Sequence, residues 1–128
     1  MILLDANVVL RYLLNDNAEQ ASAAKAVIST EQVTILLGVL AEIVYVLSGV
    51  YSVPREEVSE VLTGFGNLEN VAFDEEQIAI HALGTYSVHN IDFIDSILYS
   101  YHVVSGSEIK SFDKKLMSLI KKHDSSLH

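Results

Sequence analysis

The sequence predicts an α/β fold, a mainly parallel central sheet flanked by helices in three layers, as a single domain over residues 1–128. Three observations predict it. Short strand-like segments stand at Ile2–Leu4, Val33–Leu37, Val71–Phe73 and Glu108–Phe112. Helical patterns separate them, and strands that alternate with helices imply parallel crossovers. Half of the 128 residues are hydrophobic, enough for a full core at this length without a disulfide or structural metal.

Each element follows from its residues. Ile2–Leu4 is apolar and closes on Asp5-Ala-Asn, a strand turning into a helix that runs to Leu14. Asn15-Asp-Asn breaks that helix. Ala18 to Ser29 is Ala-rich and a good helix on propensity. After the strand at Val33–Leu37, Gly38 to Tyr51 is apolar nearly all round, which predicts a buried helix. Pro54 suits the first turn of the next helix, which ends at Gly66-Asn67. Asp74-Glu-Glu opens a helix that runs to about Val88, the acids favouring its positive end. Asp92 to Val104 is the next helix, stopped at Ser105-Gly106. Lys114 to Lys122 follows the fourth strand as the last helix.

Composition narrows the function classes. The absence of cysteine excludes thiol catalysis and Cys-based zinc sites. The start, Met1-Ile-Leu-Leu-Asp, has no basic leader region, and no apolar run reaches the roughly 18–20 residues of a membrane span. The chain therefore reads as a soluble cytoplasmic protein. A net charge of −9, with 8 Lys and Arg against 17 Asp and Glu, argues against a broad non-specific nucleic-acid surface. Five of the eight cations lie beyond residue 109, a modest phosphate-facing patch, although Lys121 and Lys122 read as the solvated face of a helix. The high apolar fraction suggests a dimer face or partner groove.

Four carboxylates carry the chemistry. Asp5 and Asp113 end predicted strands, Glu42 sits early in the helix after the second strand, and Asp95 sits in the first turn of its own helix. Ligands in parallel α/β sheets bind at the carboxyl ends of strands, so all four can face one sheet edge. Each interrupts an apolar run in a chain short of cations, and a half-buried carboxylate needs a hydrogen bond, a cation or a metal. If the four converge, oxygen-only ligands suit Mg²⁺ or Mn²⁺, and phosphoryl chemistry uses such ions. Asp5, Asp95 and Asp113 also suit plain helix starts, whereas Glu42, among Ala41, Ile43 and Val44, needs a partner. Asp92 reads as a cap with an ancillary metal role, and Asn7 and Ser111 as ancillary groups beside the acids. The five histidines show no paired-ligand spacing, and the tyrosines read as core or interface.

The same segments resemble the PIN-domain proteins of the VapC-type toxin branch. Leu3-Leu-Asp-Ala-Asn-Val-Val-Leu-Arg-Tyr-Leu-Leu resembles the family's opening, and Leu40-Ala-Glu-Ile-Val-Tyr-Val-Leu its second acidic segment. Asp92-Phe-Ile-Asp-Ser-Ile-Leu resembles the third, with Ser96 for a usual Ala, and Ser111-Phe-Asp113 the Thr-Phe-Asp motif. The joint order of the four motifs is more specific than any one of them. The resemblance implies a PIN-like fold and a metal-dependent endoribonuclease, the toxin of a toxin–antitoxin pair. Asp5, Glu42, Asp95 and Asp113 would then hold one or two Mg²⁺ or Mn²⁺ ions. It also implies an RNA substrate, a homodimer and a cognate antitoxin. Two alternatives stay open: a catalytically silent interaction module of the same fold, and a receiver-like phospho-acceptor domain. The second would want adjacent acids after the first strand and a late Lys-Pro, but Ala6 follows Asp5 and the only proline is Pro54.

Overall fold

Strands β1 (Ile2–Leu3), β2 (Val33–Ile35) and β3 (Val71–Phe73) form a parallel sheet in that spatial order, with β2 at its centre. Ile2 pairs with Val33 and Leu3 with Thr34, while Val33, Thr34 and Ile35 pair with Val71, Ala72 and Phe73. The ladder continues just past the strands: Leu4 N–H donates to Thr34 O at 3.3 Å and Asp74 N–H to Ile35 O at 2.9 Å. Asp5 and Asp74 thus leave the sheet at its carboxyl edge. The computed structural model describes residues 1–127, and His128, one of the five histidines, lies outside them.

Helices α1 (Ala6–Leu14) and α2 (Ala18–Thr30) connect β1 to β2. Asn15 closes α1 in the left-handed region at φ 52°, and Asn17 caps α2 by accepting from Gln20 N–H at 3.0 Å. Both roles suit the short Asn amide. Helix α3 (Leu37–Tyr45), a π-helical turn (Val46–Val50) and α4 (Arg55–Gly66) lead to β3. Helices α5 (Glu76–Val88), α6 (Phe93–Ser105) and α7 (Lys114–Ser126) complete the described chain, with α6 packed between α5 and α7. Gly106, at φ 72°, ends α6, and its N–H and that of Ser107 return to the carbonyls of His102 and Tyr101. Among the described residues, no helix is long and apolar enough to cross a membrane.

Val9, Ile35, Ile43, Val58, Leu62, Leu83 and Phe93 are fully buried and join the sheet to α1, α3, α4, α5 and α6. Each such side chain contributes roughly 1.5–3 kcal/mol on leaving water. With strands of two or three residues, packing of helices on this core holds the fold together more than the ladder does.

Two expectations need correction. Glu108–Phe112 is not a strand: it makes no backbone ladder, and Glu108 and Lys110 pair with each other in solvent at 2.9 Å. The physical reason is its pattern. Ile109 and Phe112 are three apart and fall on opposite faces of an extended chain, so neither face is apolar. Phe112 is accordingly fully exposed. The helix from Gly38 is likewise not buried all round. Leu40, Ala41, Ile43, Val44 and Leu47 are buried, whereas Gly38, Glu42, Tyr45 and Gly49 form an exposed stripe at helical spacing. The stripe takes in Glu42, the one charged residue of the segment.

Helix α4 passes close to β3 at Gly66. A Cβ there would fall 2.4 Å from the Phe73 ring, and Phe73 is only 5% exposed. The ring has little room to give, so Gly66→Ala should destabilise the fold by about 1–3 kcal/mol. At the exposed Gly64 a Cβ would meet nothing within 4 Å, and Gly64→Ala should stabilise by about 0.5–1 kcal/mol through helix propensity. Urea unfolding of both variants checks this, and equal effects would contradict the close approach at Phe73.

Candidate functional site

Four helices carry the four acids, and they pack in the order α1, α3, α6, α7. Asp5 stands at the N-cap of α1, where one carboxylate oxygen (Oδ1) accepts from Val8 N–H at 3.1 Å. Asp113 does the same for α7, accepting from Leu116 N–H at 2.8 Å, and its own N–H donates to Ser111 Oγ at 3.0 Å. Ser111 thereby sets the turn that delivers Asp113. These bonds fix both carboxylates and leave Oδ2 of each without a partner in the chain, since neither acid takes part in an ion pair among the described residues.

Asp92 occupies the N-cap position of α6, but its side chain makes no cap bond. The capping role expected from its position is therefore not played by the carboxylate. The buried Ser96 reads the Asp92 carbonyl instead, through N–H at 2.9 Å and Oγ at 3.1 Å. A hydroxyl at position 96 thus ties down the first turn that carries Asp95.

Asp92, Asp95 and Asp113 line one cavity of about 360 Å³, together with Asn90, Ile91, Lys114 and Lys115. Burial, then the charge of Asp113, then that of Asp92, raises the Asp95 carboxyl above its ordinary value. Tyr45 of α3 belongs to the same neighbourhood. Burial and the charges of Asp92 and Asp95 raise its phenol. Glu42 lies one helical turn before Tyr45 on the exposed stripe of α3, the helix that packs against both α1 and α6. Its exposure removes the argument that a buried acid there demands a partner.

The structure thus brings Asp95, Asp113 and Asp92 together, and leaves Asp5 and Glu42 on flanking helices outside the cavity lining. Among the described residues, no three acidic or histidine side chains stand close enough to hold one ion. The donor set is all carboxylate and its members repel one another, which suits a hard divalent cation in kind. Asn7 lines a groove between α1 and α2 with Arg11 and Gln20.

The pattern of acids left Arg55 unnoticed. Its Nη1 donates to the carbonyls of Tyr86, His89 and Ile91 at 3.2, 2.9 and 2.7 Å, and its guanidinium lies 4.2 Å from the Tyr86 ring centre. It anchors the connection between α5 and α6 that presents Asn90, Ile91 and Asp92 to the cavity. Its place right after the only proline is the one local signal, and that signal says nothing of its partners.

A family model for the PIN domain matches residues 2–122. The chain belongs to the PIN-domain family. The match spans all four acids and both sides of the cavity, and it leaves the receiver-like alternative without support. PIN domains are in general nucleases and in general use divalent metal ions. No curated protein and no solved structure matches the chain.

The raised Asp95 carboxyl has a consequence for stability. The folded chain holds this proton more tightly than the unfolded chain, so Asp95 favours the fold below its ordinary value of 3.8. That contribution is lost as pH rises through the raised folded value. At neutral pH the ionised group costs stability. In chelator at neutral pH, Asp95→Asn should therefore be at least as stable as the wild type in urea unfolding. The difference should shrink as pH is lowered toward 3.8. A variant clearly less stable at neutral pH would contradict the like-charge cluster.

Proposed function

We propose that this PIN-domain protein is a Mg²⁺- or Mn²⁺-dependent endoribonuclease that hydrolyses RNA phosphodiester bonds, with Asp5, Glu42, Asp95 and Asp113 as its metal-holding and catalytic acids. The observation that carries this reading is the cavity of Asp92, Asp95 and Asp113, three like charges with no ion-pair partner among the described residues, in a PIN domain. A divalent ion bound there would supply the positive charge that phosphate chemistry needs and would ease ionisation of an attacking water. The chain's own part is positioning. The α1 and α7 caps hold Asp5 and Asp113 rigid with one oxygen each free. Ser96 and Arg55 hold the turn bearing Asp92 and Asp95. Asn7, Asp92 and Ser111 are ancillary.

A second reading, a catalytically silent PIN module, draws on the fact that no three of these side chains stand close enough for one ion among the described residues. The resemblance of the four motifs to VapC-type toxins supports a toxin role with a cognate antitoxin, in the cytoplasm and as a homodimer. The exposed apolar side chains Leu36, Tyr45, Val50 and Tyr51 at and beyond α3 are compatible with a partner face.

Cleavage of RNA by the purified protein should require Mg²⁺ or Mn²⁺ and stop in chelator. Asp95→Asn and Asp5→Asn should each lower it at least about 10²-fold, the scale of losing a metal-site group. Gel assays of wild type and both variants, prepared identically, check this. Binding without cleavage in Mn²⁺ would leave the silent module standing, and cleavage that persists in chelator would overturn the metal dependence.

Association is tested separately. Light scattering of the isolated protein should report about twice its 14.1 kDa chain mass. A clean monomer at tens of micromolar would count against the homodimer.

A further inference from the structure

Beside the acidic cavity lies a larger cleft of about 560 Å³, lined by His89, Asn90, Ile91, Ser118 and Leu119 and by three lysines, Lys114, Lys115 and Lys122. The two hollows share Asn90, Ile91, Lys114 and Lys115, so they adjoin, with the three acids in one, Lys122 in the other, and Lys114 and Lys115 on the border between them. One wall is α7, and the other is the connection between α5 and α6 that Arg55 holds.

The placement of the lysines is not explained by the fold. Eight residues separate Lys114 from Lys122, about 12 Å along α7 at the helical rise. Lys114 and Lys115 are the first two residues of that helix, where the macrodipole disfavours cations and favours acids. None of the three forms an ion pair among the described residues, although acids outnumber cations two to one. Lys115 Nζ reaches only the Asn90 carbonyl, at 3.5 Å. Arg11, Arg55 and Lys110, in contrast, are engaged elsewhere. Three of eight cations, without ion pairs among the described residues and two of them placed at a local cost, line one cleft and form a positive track in a chain of net charge −9.

We infer that this cleft carries the sugar-phosphate backbone of a single RNA strand away from the acidic cavity, with Lys114, Lys115 and Lys122 as its phosphate contacts. The inference rests on the ribonuclease reading, because an endonuclease must hold its strand on both sides of the bond it cuts. The cleft is the cation-lined continuation of the cavity in which that bond would lie. Exposed His89 and Asn90 offer hydrogen bonds, and the half-buried Leu119 an apolar contact, to the strand. Lys122, read from sequence as a merely solvated residue, becomes part of the site. Its neighbour Lys121 opens onto a different hollow, with Met117, Ile120 and Asp124.

That neighbour supplies the control. Lys122→Gln and Lys121→Gln make the same change of net charge on the same helix. Both are made on an Asp95→Asn background so that RNA stays uncut. Fluorescence anisotropy with a short labelled single-stranded RNA in Mg²⁺, over a series of salt concentrations, reads the affinity and its salt slope. Lys122→Gln should weaken binding and lower the slope by about 0.7, and the triple Lys114, Lys115 and Lys122 to Gln variant by about 2. Lys121→Gln should leave the slope unchanged. Equal effects of Lys122→Gln and Lys121→Gln, or no RNA binding at any salt, would overturn the inference. Binding of polyglutamate in place of RNA would also overturn it and assign the cleft to an acidic protein. The cleavage assay with Asp95 intact separates the two claims. A slope change without cleavage in Mn²⁺ leaves the cleft standing and removes the nuclease reading. Cleavage with equal slopes does the reverse.

Discussion

The Arg55 guanidinium donates to three carbonyls that no strand or helix serves, those of Tyr86, His89 and Ile91, and stacks on the Tyr86 ring. The stretch it grips, the few residues between α5 and α6, is common to both hollows of the site. Its carbonyls would otherwise need water or other donors, and a buried carbonyl without a partner costs about 1–3 kcal/mol. A lysine ammonium would keep a point donor for these carbonyls but lose the flat face that lies over the Tyr86 ring. The contact ties the connection that leads into Asp92 to the start of α4.

From that anchor the electrostatics of the site follow. Asp92 and Asp95 project from the start of α6 toward Asp113 at the start of α7, and the two helices pack together. Helix starts tolerate negative charge, and Lys114 and Lys115 line the same cavity without forming an ion pair with its three acids among the described residues. Burial first, and the neighbouring acids second, raise the carboxyl of Asp95 and the phenol of Tyr45. Lys114 and Lys115 border that cavity, and Lys122 lies farther along α7 in the adjoining cleft. A row of lysines thus runs outward from the acids in a chain of net charge −9.

At its far end, α7 is joined to α6 by a different kind of contact. His102 Nε2 and Asp124 Oδ1 stand 2.7 Å apart, and Nδ1 of the same ring lies 2.8 Å from the Ser107 carbonyl. Both bonds raise the imidazole above its ordinary value, the carboxylate more than the carbonyl. The pairing holds the C-terminal half of α7 to α6 while Leu116 and Ile120 bury its inner face. The cleft wall that carries Lys122 is thus tied at both ends.

Much of this was legible in the residues. Val71–Phe73 is a strand as read, and the breaks at Asn15, Asn67 and Gly106 fall where short amides and glycine predict them. Asp5 and Asp113 cap the helices they were expected to open. The misreadings share one cause. Glu108–Phe112 and the helix from Gly38 were judged by their content of apolar residues, whereas burial depends on which face those residues share. A pattern along the chain cannot register a partner far away in it.

By itself, then, the sequence determined the local order of this protein. Propensity, caps and turn residues act within a few positions, and they set the sequence of strands and helices and put an acid at the head of α1, α6 and α7. Only the tertiary structure decided which of those acids meet. Asp95 and Asp113 are separated by a helix and a loop, and the packing of α6 on α7 brings them into one cavity. The same packing left Asp5 and Glu42 on flanking helices, drew Arg55 to carbonyls more than thirty residues away, and set Lys122, but not Lys121, in the cleft beside the acidic cavity. Electrostatic and hydrogen-bond energies depend on distance in space, and distance in space is a property of the packed core.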